Sequence, residues 1–391
     1  METRCSKSWT DVNVDFKNRL LRHCCKSDPY EFPANIASGF FDNSDMIRER
    51  RQNSLVGVRH RDCQSCWRDY DKGLGAYRDW MNKWSDSDFF SRDLSKSHVS
   101  YIEVELDNTC DLSCIYCSSI CSSRIAREEG VVHEDLTRQT DIDAFKEWLL
   151  GKFNSANERI MINFLGGEPT TSNLFYELVD FVCVLASDST DQRLSIGLCT
   201  NGNSRKHLMD RLSNAMDRSN VMWEVAISNE SYGASAELIR YGLDWERFSE
   251  NIDRYVAHPM VSSITFSPTI NAFNLRSFGR YVDWVHDKVR SKGKPFGWIG
   301  AHAYWPEELD VSHLPPSYRS FIDAARYALA KEKGNSYLNG YETFDGFLVK
   351  MHERISSDHG NDWLDNLERF IKLKNQHKKT NRLDELLKEM R

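Results

Sequence analysis

The sequence has no apolar run approaching the ~18 residues of a membrane-spanning helix, so no span is expected. It has no surplus of positive charge either: 51 Lys and Arg stand against 58 Asp and Glu, a formal charge of −7. That excludes a global basic field for duplex nucleic acid and leaves at most a local basic groove. The opening METRCSKSWTDV lacks the apolar core of a secretion signal, and a cytoplasmic setting is the expectation. Internal repeats and low-complexity linkers are absent as well. A chain of 391 residues then suits one large domain or two smaller ones. Cysteine and aromatic residues, by contrast, are plentiful: 11 Cys, 11 Trp and 20 Phe. In a reducing cytosol, clustered thiols are metal ligands more readily than disulfides. Cys183, inside the apolar FVCVLA, reads as a small core residue.

Residues 1–98 are polar, aromatic and irregular in pattern, and hold five of the cysteines. From residue 99 short alternating or apolar runs recur: YIEVELD (101–107), RIMINFLGG (159–167), RLSIGLCT (193–200), VMWEVAIS (221–228), SSITFSPTI (262–270) and PFGWIGAHA (295–303). Helical stretches such as DIDAFKEWLLGKF and NLRSFGRYVDWVHDKV lie between them. Strand alternating with helix implies parallel β/α units and an α/β fold. Six units suggest a partial (β/α)6 barrel, two short of the closed eight-fold form. An open doubly wound sheet is the rival. The expected organisation is a cysteine-rich module (1–98), a β/α domain (99–304) and a helical, charged extension (305–391). The extension carries the basic run KLKNQHKKTNR and the amphipathic RLDELLKEMR, read as a solvated face with an interaction surface as the alternative.

The stretch CDLSCIYC places Cys110, Cys114 and Cys117 close together. Structural zinc takes four closed ligands, and iron–sulfur cubes usually take four cysteines. Cys121 follows at a further three-residue gap, so a four-ligand zinc site is one reading. The trio, however, follows the first strand of the β/α series, where barrel enzymes place their chemistry. A cube held by three thiolates leaves one iron open to a small molecule.

The C-x3-C-x2-C spacing, with Tyr116 before the last cysteine, resembles the signature of radical S-adenosylmethionine enzymes. GGEP (Gly166, Gly167, Glu168, Pro169), closing the second strand, resembles the family's segment that holds the methionine amino group. Glycines permit close backbone approach, and a carboxylate pairs with an ammonium. In CTNGN, Thr200 and Asn201 are placed for the nucleoside ribose or a neighbouring group, with a plain strand-to-helix turn as the alternative. Ser228 and Arg240 resemble a clamp on the methionine carboxylate, for which an arginine fork is suited. Relatives often follow that serine with Asp-Gly; here Asn229 and Glu230 follow, and the resemblance gives them no role. Glu230 is open to two readings, a hold on a substrate amine or a helix cap. Asn271, in PTINAFN, resembles a residue approaching the adenosine, and Tyr116 brings backbone near the adenine. The resemblance implies a [4Fe-4S] cluster on Cys110, Cys114 and Cys117 that chelates S-adenosylmethionine. Reductive cleavage then gives a 5′-deoxyadenosyl radical, which takes hydrogen from a substrate carbon. It also implies an external one-electron reductant such as flavodoxin or ferredoxin. The protein's share is orientation, dryness and electrostatics.

Cys63 and Cys66 form CQSCW, with Cys5 and the pair Cys24-Cys25 upstream. Zinc or a cube fits such an inventory. The stretches CSKSWTDVNV, LRHCC and CQSCWRDYDKGLGAYR resemble the twitch module, a shortened relative of SPASM, in a subgroup that carries it ahead of the barrel. That resemblance implies an auxiliary [4Fe-4S] cluster on Cys5, Cys24, Cys63 and Cys66, with Cys25 the alternative to Cys24. His302, Tyr304 and Trp305 follow the last strand toward the substrate side, His302 as a base or a satisfied polar residue. Cys121 and Cys199 are hydrogen donors or packing. The expected substrate is a peptide, an amino-acid derivative or another small polar molecule. A nucleotide or modified DNA base is the alternative, disfavoured by the acidic charge. A noncatalytic zinc scaffold accounts for the cysteines but not for GGEP, Ser228 or Arg240.

Overall fold

The computed structural model describes residues 3–71, 77–85, 88–155, 159–187, 193–290, 292–303, 305–331, 343–355, 363–378 and 383–390. Its strands are β1 (Asp11–Asp15), β2 (Leu20–Arg22), β3 (Tyr30–Glu31), β4 (Tyr101–Glu105), β5 (Ser113–Cys114), β6 (Ile160–Leu165), β7 (Leu194–Thr200), β8 (Met222–Ile227), β9 (Arg240–Tyr241), β10 (Val261–Phe266), β11 (Thr269–Ile270), β12 (Phe296–Trp298) and β13 (Ala301–His302). Nine of them form one sheet in the order β12-β10-β8-β7-β6-β4-β1-β2-β3. From β1 to β12 the neighbours are parallel and lie in strict chain order. A doubly wound sheet reverses its strand order at a switch point; this one does not. Right-handed crossovers that all step the same way set their helices on one face.

Side-chain alternation gives the two faces different chemistry. Ile102, Val104, Ile162, Phe164, Trp223, Val225, Ile264 and Phe266 are buried. They pack toward helices 173–187 and 275–290 through ring pairs such as Phe164–Phe175 and Phe266–Tyr281. The intervening positions, Tyr101, Glu103, Glu105, Met161, Asn163, Leu165, Met222, Glu224 and Ala226, are only partly buried. Several of these half-buried positions carry polar side chains.

All six expected strands form, but the sheet has one more parallel member. β1, DVNVD, lies in the stretch read as irregular and pairs with the whole of β4, from Asp11↔Tyr101 to Asp15↔Glu105. It completes Val12 and Val14 into the core while Asp11, Asn13 and Asp15 join the polar face. β2 and β3 continue antiparallel to the edge. At the other end of the chain, helix 363–378 buries Leu367, Phe370 and Ile371, ahead of the basic run, while Lys372 and Leu373 within that run stay exposed. Phe370 meets Phe273, and Lys374 Nζ donates to the Cys117 carbonyl at 3.5 Å.

Candidate functional site

The cysteine loop leaves the carboxyl end of β4 and is held at both ends. Ser122 caps helix 123–129, accepting from the Ile125 N–H at 3.3 Å and donating to the Leu112 carbonyl at 2.7 Å. The Cys110 N–H donates to Ser123 Oγ at 3.2 Å. Cys114 sits in β5, which pairs antiparallel with β9 so that Cys114 faces Arg240. Burial pushes the Cys110 thiol up to about 12, and the neighbouring Cys114 adds to that. The contact with Cys121 raises Cys117 first, then burial, then Cys114. Thiols this reluctant to ionise alone are ones that a metal centre deprotonates on binding.

GGEP closes down on the same loop. Gly166 has φ +136°, and a Cβ there would stand 2.7 Å from the Asp107 carbonyl oxygen; at Gly167 it would stand 2.4 Å from that of Thr109. The Gly167 and Glu168 N–H groups donate to those two carbonyls at 2.8 and 2.7 Å. The close approach the glycines allow is therefore first to the backbone before Cys110. Glu168 is 1% exposed. Its carboxylate accepts from the Asn201 N–H (2.7 Å), Thr200 Oγ1 (2.8 Å), Thr170 Oγ1 (2.7 Å) and the Thr170 N–H (3.2 Å). Burial pushes it up to about 7 against those donors. Asn201 and Asn203 each donate through Nδ2 to an oxygen of Asp111 at 2.9 Å. Three motifs from three strand ends are thus stitched together. The carboxylate expected to meet an ammonium thus already accepts from protein donors.

Ser228 lies beside this group, its N–H donating to the Thr200 carbonyl at 2.8 Å and its Oγ 3.7 Å from Cys199 Sγ. Arg240 is where sequence reasoning missed a partner. Its Nη2 lies 2.6 Å from Glu230 Oε2 and its Nε 3.1 and 3.2 Å from the two oxygens. Glu230 is fully buried and also accepts from the Tyr116 hydroxyl at 3.0 Å. Burial opposes the charge on Arg240, but Glu230 outweighs it and holds the guanidinium firmly protonated. The remaining nitrogen, Nη1, lies 4.0 Å from Cys114 Sγ. The fork expected to meet a ligand carboxylate thus already holds a protein one, with one edge turned to the cysteine loop. Glu230, read in the sequence as an amine hold or a helix cap, pairs with Arg240 and Tyr116, while Asp111 and Asn203 only adjoin flagged residues and their partners emerge from the fold.

The remaining candidates lie in the segments that follow β10 and β12. Asn271 is buried in its own turn, Nδ2 donating to the Thr269 carbonyl at 3.0 Å and Oδ1 accepting from the Phe273 N–H at 3.0 Å. His302, on β13 beside Ile270, is lowered by burial and then by Arg354, which pairs with Asp310. Trp305 is 76% exposed. Tyr304 lies outside the described residues.

A second cysteine group gathers from residues 5–66. Cys5, Cys24, Cys63 and Cys66 line one cavity together with Arg50, Arg78, Trp67 and Tyr77. Cys25 is exposed and is not in that lining. Burial pushes Cys5 up to about 11, partly offset by Arg50, and raises Cys63 in the same way. Arg50 and Arg78 are each 3% exposed; Arg50 Nε and Nη1 and both Nη atoms of Arg78 have no hydrogen-bond partner. Arg78 Nε stands 3.2 Å from Asp79, and the unmet nitrogens of Arg50 together with the Arg78 Nη atoms mark a place for negative charge. Four thiolates around a doubly charged centre carry a net charge of about −2, which two arginines offset. Among the described residues no three His, Cys, Asp or Glu side chains converge as ligands of a single metal ion. No described helix is long and apolar enough to cross a membrane.

No protein-family model and no curated protein matches the chain. Solved structures do. The structure of native anSMEcpe with bound AdoMet aligns over 61% of this chain and 63% of that one, at 17% identity and a TM-score of 0.40. The chain therefore spans less than two thirds of that neighbour's length. Streptococcus suis SuiB bound to precursor peptide SuiA aligns over 89% of this chain and 75% of that one, at 12% identity and a TM-score of 0.41. TYW1 with a lysine-pyruvate adduct bound aligns over 58% and 71%, at 13% identity and a TM-score of 0.33. None of these similarities assigns a role to a residue of this chain.

Proposed function

We propose that the chain is a radical S-adenosylmethionine enzyme with two iron–sulfur centres. Cys110, Cys114 and Cys117 would hold the cluster with an open iron, and Cys5, Cys24, Cys63 and Cys66 a fully ligated auxiliary one. The observation that carries the reading is the stitching of the cysteine loop, GGEP and CTNGN at one end of a parallel sheet through Glu168 and Asp111. A zinc scaffold needs its thiols but gives that junction no task. When bound, the cluster and S-adenosylmethionine supply one-electron cleavage to a 5′-deoxyadenosyl radical, which takes hydrogen from a substrate carbon.

The chain's own residues position and neutralise. Arg240 turns Nη1 to the Cys114 sulfur at 4.0 Å, while Glu230 keeps the guanidinium from standing as an uncompensated buried charge. Tyr116 fixes Glu230 from the cysteine-loop side. Thr200 and Asn201 present Glu168 with donors and hold the rim of the site. Arg50 and Arg78 balance the thiolates of the second centre. The substrate class in this reading is a peptide, an amino-acid derivative or a small polar molecule. The 1–98 module, the 99–304 partial barrel and the 305–391 extension are the proposed organisation, and a flavodoxin or ferredoxin the proposed electron source.

The test is anaerobic purification. The expected protein is brown, holds about eight irons in two cubes, and forms 5′-deoxyadenosine when reduced with S-adenosylmethionine. Cys114→Ala abolishes that product. A colourless protein carrying only zinc overturns the proposal.

A further inference from the structure

A cavity of about 420 Å³ lies at the amino ends of β1, β4 and β6, at the opposite end of these strands from the cysteine loop. Three consecutive strands of the sheet build one wall. The Ser100 N–H donates to the Thr10 carbonyl at 2.9 Å, and the Met161 N–H to the Ser100 carbonyl at 2.9 Å. Those bonds hold the strand starts side by side, about 4.8 Å from one strand to the next. Asp11, Tyr101 and Arg159 thereby come to line the same space. The other wall is the end of helix Tyr77–Trp84 together with Phe89 and Arg92. Asn82 ties that helix down, its Oδ1 accepting from the Ser6 N–H at 2.9 Å and its Nδ2 donating to the Arg4 carbonyl at 2.8 Å. The Trp9 indole N–H anchors the chain beyond Arg92, donating to the Leu94 carbonyl at 2.9 Å. Fixed elements therefore frame a volume of the size that small-molecule sites have, about 300–1,000 Å³.

Positive charge dominates the lining. Lys7, Arg92 and Arg159 stand there against one carboxylate, Asp11. Both oxygens of Asp11 are engaged, Oδ2 by Lys7 Nζ at 2.6 Å and Oδ1 by Thr10 Oγ1 at 2.7 Å. Lys7 Nζ also lies 5.2 Å from the centre of the Tyr101 ring, and the Arg92 guanidinium 5.5 Å from that of Phe89. Such cation–π contacts fix where the charges stand. Arg159 is exposed and forms no ion pair with a described residue, though its charge is felt by Glu224.

We infer that this cavity binds a small molecule through an oxyanion, a phosphate or a carboxylate. Arg159 grips it from the sheet wall and Arg92 from the other, with Lys7 as the third cation. Guanidinium forks present paired donors matched to such oxygens, and a lysine adds a point charge. The site is separate from the proposed reaction centre and uses none of the proposed cluster ligands. It adjoins the second cysteine group, since Lys7 feels the charges of Cys24 and Cys5. The binding requires neither a cluster nor S-adenosylmethionine.

The test is calorimetric titration of the anaerobically purified full-length protein at low ionic strength, without S-adenosylmethionine or reductant. The probes are ribose 5-phosphate and succinate, with ribose as the uncharged control. The expected result is saturable one-site binding of at least one anion and none of ribose; the anion held more tightly tells phosphate from carboxylate. Arg159→Gln and Arg92→Gln should each weaken that binding about tenfold. Arg218→Gln, on helix 206–218 outside the cavity, should bind as the wild type does. No saturable binding of either anion, equal binding of ribose, unchanged affinity in either cavity variant, or equal weakening by Arg218→Gln overturns the inference. Because no cleavage is involved, absence of 5′-deoxyadenosine in the separate assay would refute the radical reading and leave this result standing.

Discussion

Replacing Glu230 by Gln keeps the shape of the Arg240–Glu230–Tyr116 group and removes only its negative charge. Arg240 is 5% exposed and Glu230 0%, so the guanidinium would lose its counter-ion in a place water does not reach. Breaking a buried ion pair from one side costs about 3–5 kcal/mol, because the surviving charge stays desolvated and unpaired. The Gln amide oxygen still accepts from Tyr116 or Arg240, which places the expected loss near the lower end, about 3 kcal/mol. At a urea slope of about 3 kcal/mol/M the unfolding midpoint would fall by roughly 1 M. The assay is urea unfolding of the metal-free protein under reducing conditions, so that cluster loss does not contribute. Arg240→Met leaves Glu230 as the stranded charge and should be comparably costly. The double variant removes both charges and should be at least about 2 kcal/mol more stable than the two single losses predict together. A single Glu230→Gln cost under about 1 kcal/mol, or simple additivity of the pair, would refute the assignment of a desolvated, mutually neutralising pair.

Glu168 has its proton affinity raised by burial to about 7 in the folded chain. The folded state then binds a proton more tightly than the unfolded one, so this contribution is full below the ordinary glutamate value and is lost as pH rises toward 7. Thermal melts of wild type should fall between about pH 4.5 and 7 relative to Glu168→Gln, and a wild-type curve that rises against the variant contradicts this. Cys24→Ser should strip the metal from the N-terminal centre while Cys25→Ser retains it, measured by elemental analysis; equal loss would place the wrong thiol in the cavity. Arg50→Met removes a buried cation from that centre and should shift its reduction potential to more negative values in an electron-paramagnetic-resonance titration, whereas an unchanged potential would detach Arg50 from it.

The strands from Tyr101 onward were legible because β-branched and aromatic residues alternate over runs bounded by turns. β1 was not. Its five residues alternate Val with Asp and Asn, which in isolation looks like a polar loop. Asp11 and Asp15 are in fact buried, in register with Tyr101 and Glu105. The cysteine trio and GGEP were legible as local spacing. Glu230, Asp111 and Asn203 were not, since their partners depend on how the β5–β9 pairing and the carboxyl ends of β6 and β7 come together. Asn271, an amide placed by analogy near a ligand, has both side-chain polar atoms engaged in its own turn. The docking of helix 363–378 was hidden because an amphipathic pattern reveals an apolar side without revealing what covers it.

The pairing of β1 with β4 has a consequence for electron traffic. Cys5 lies six residues before the start of β1, ahead of the short helix Lys7–Thr10, and Cys110 five residues after the end of β4, and the two strands are hydrogen-bonded along their whole length. Any redox groups on those cysteines would be tied to opposite ends of one ladder of five residue pairs. Their separation would then be set by a β-ladder instead of by a hinge.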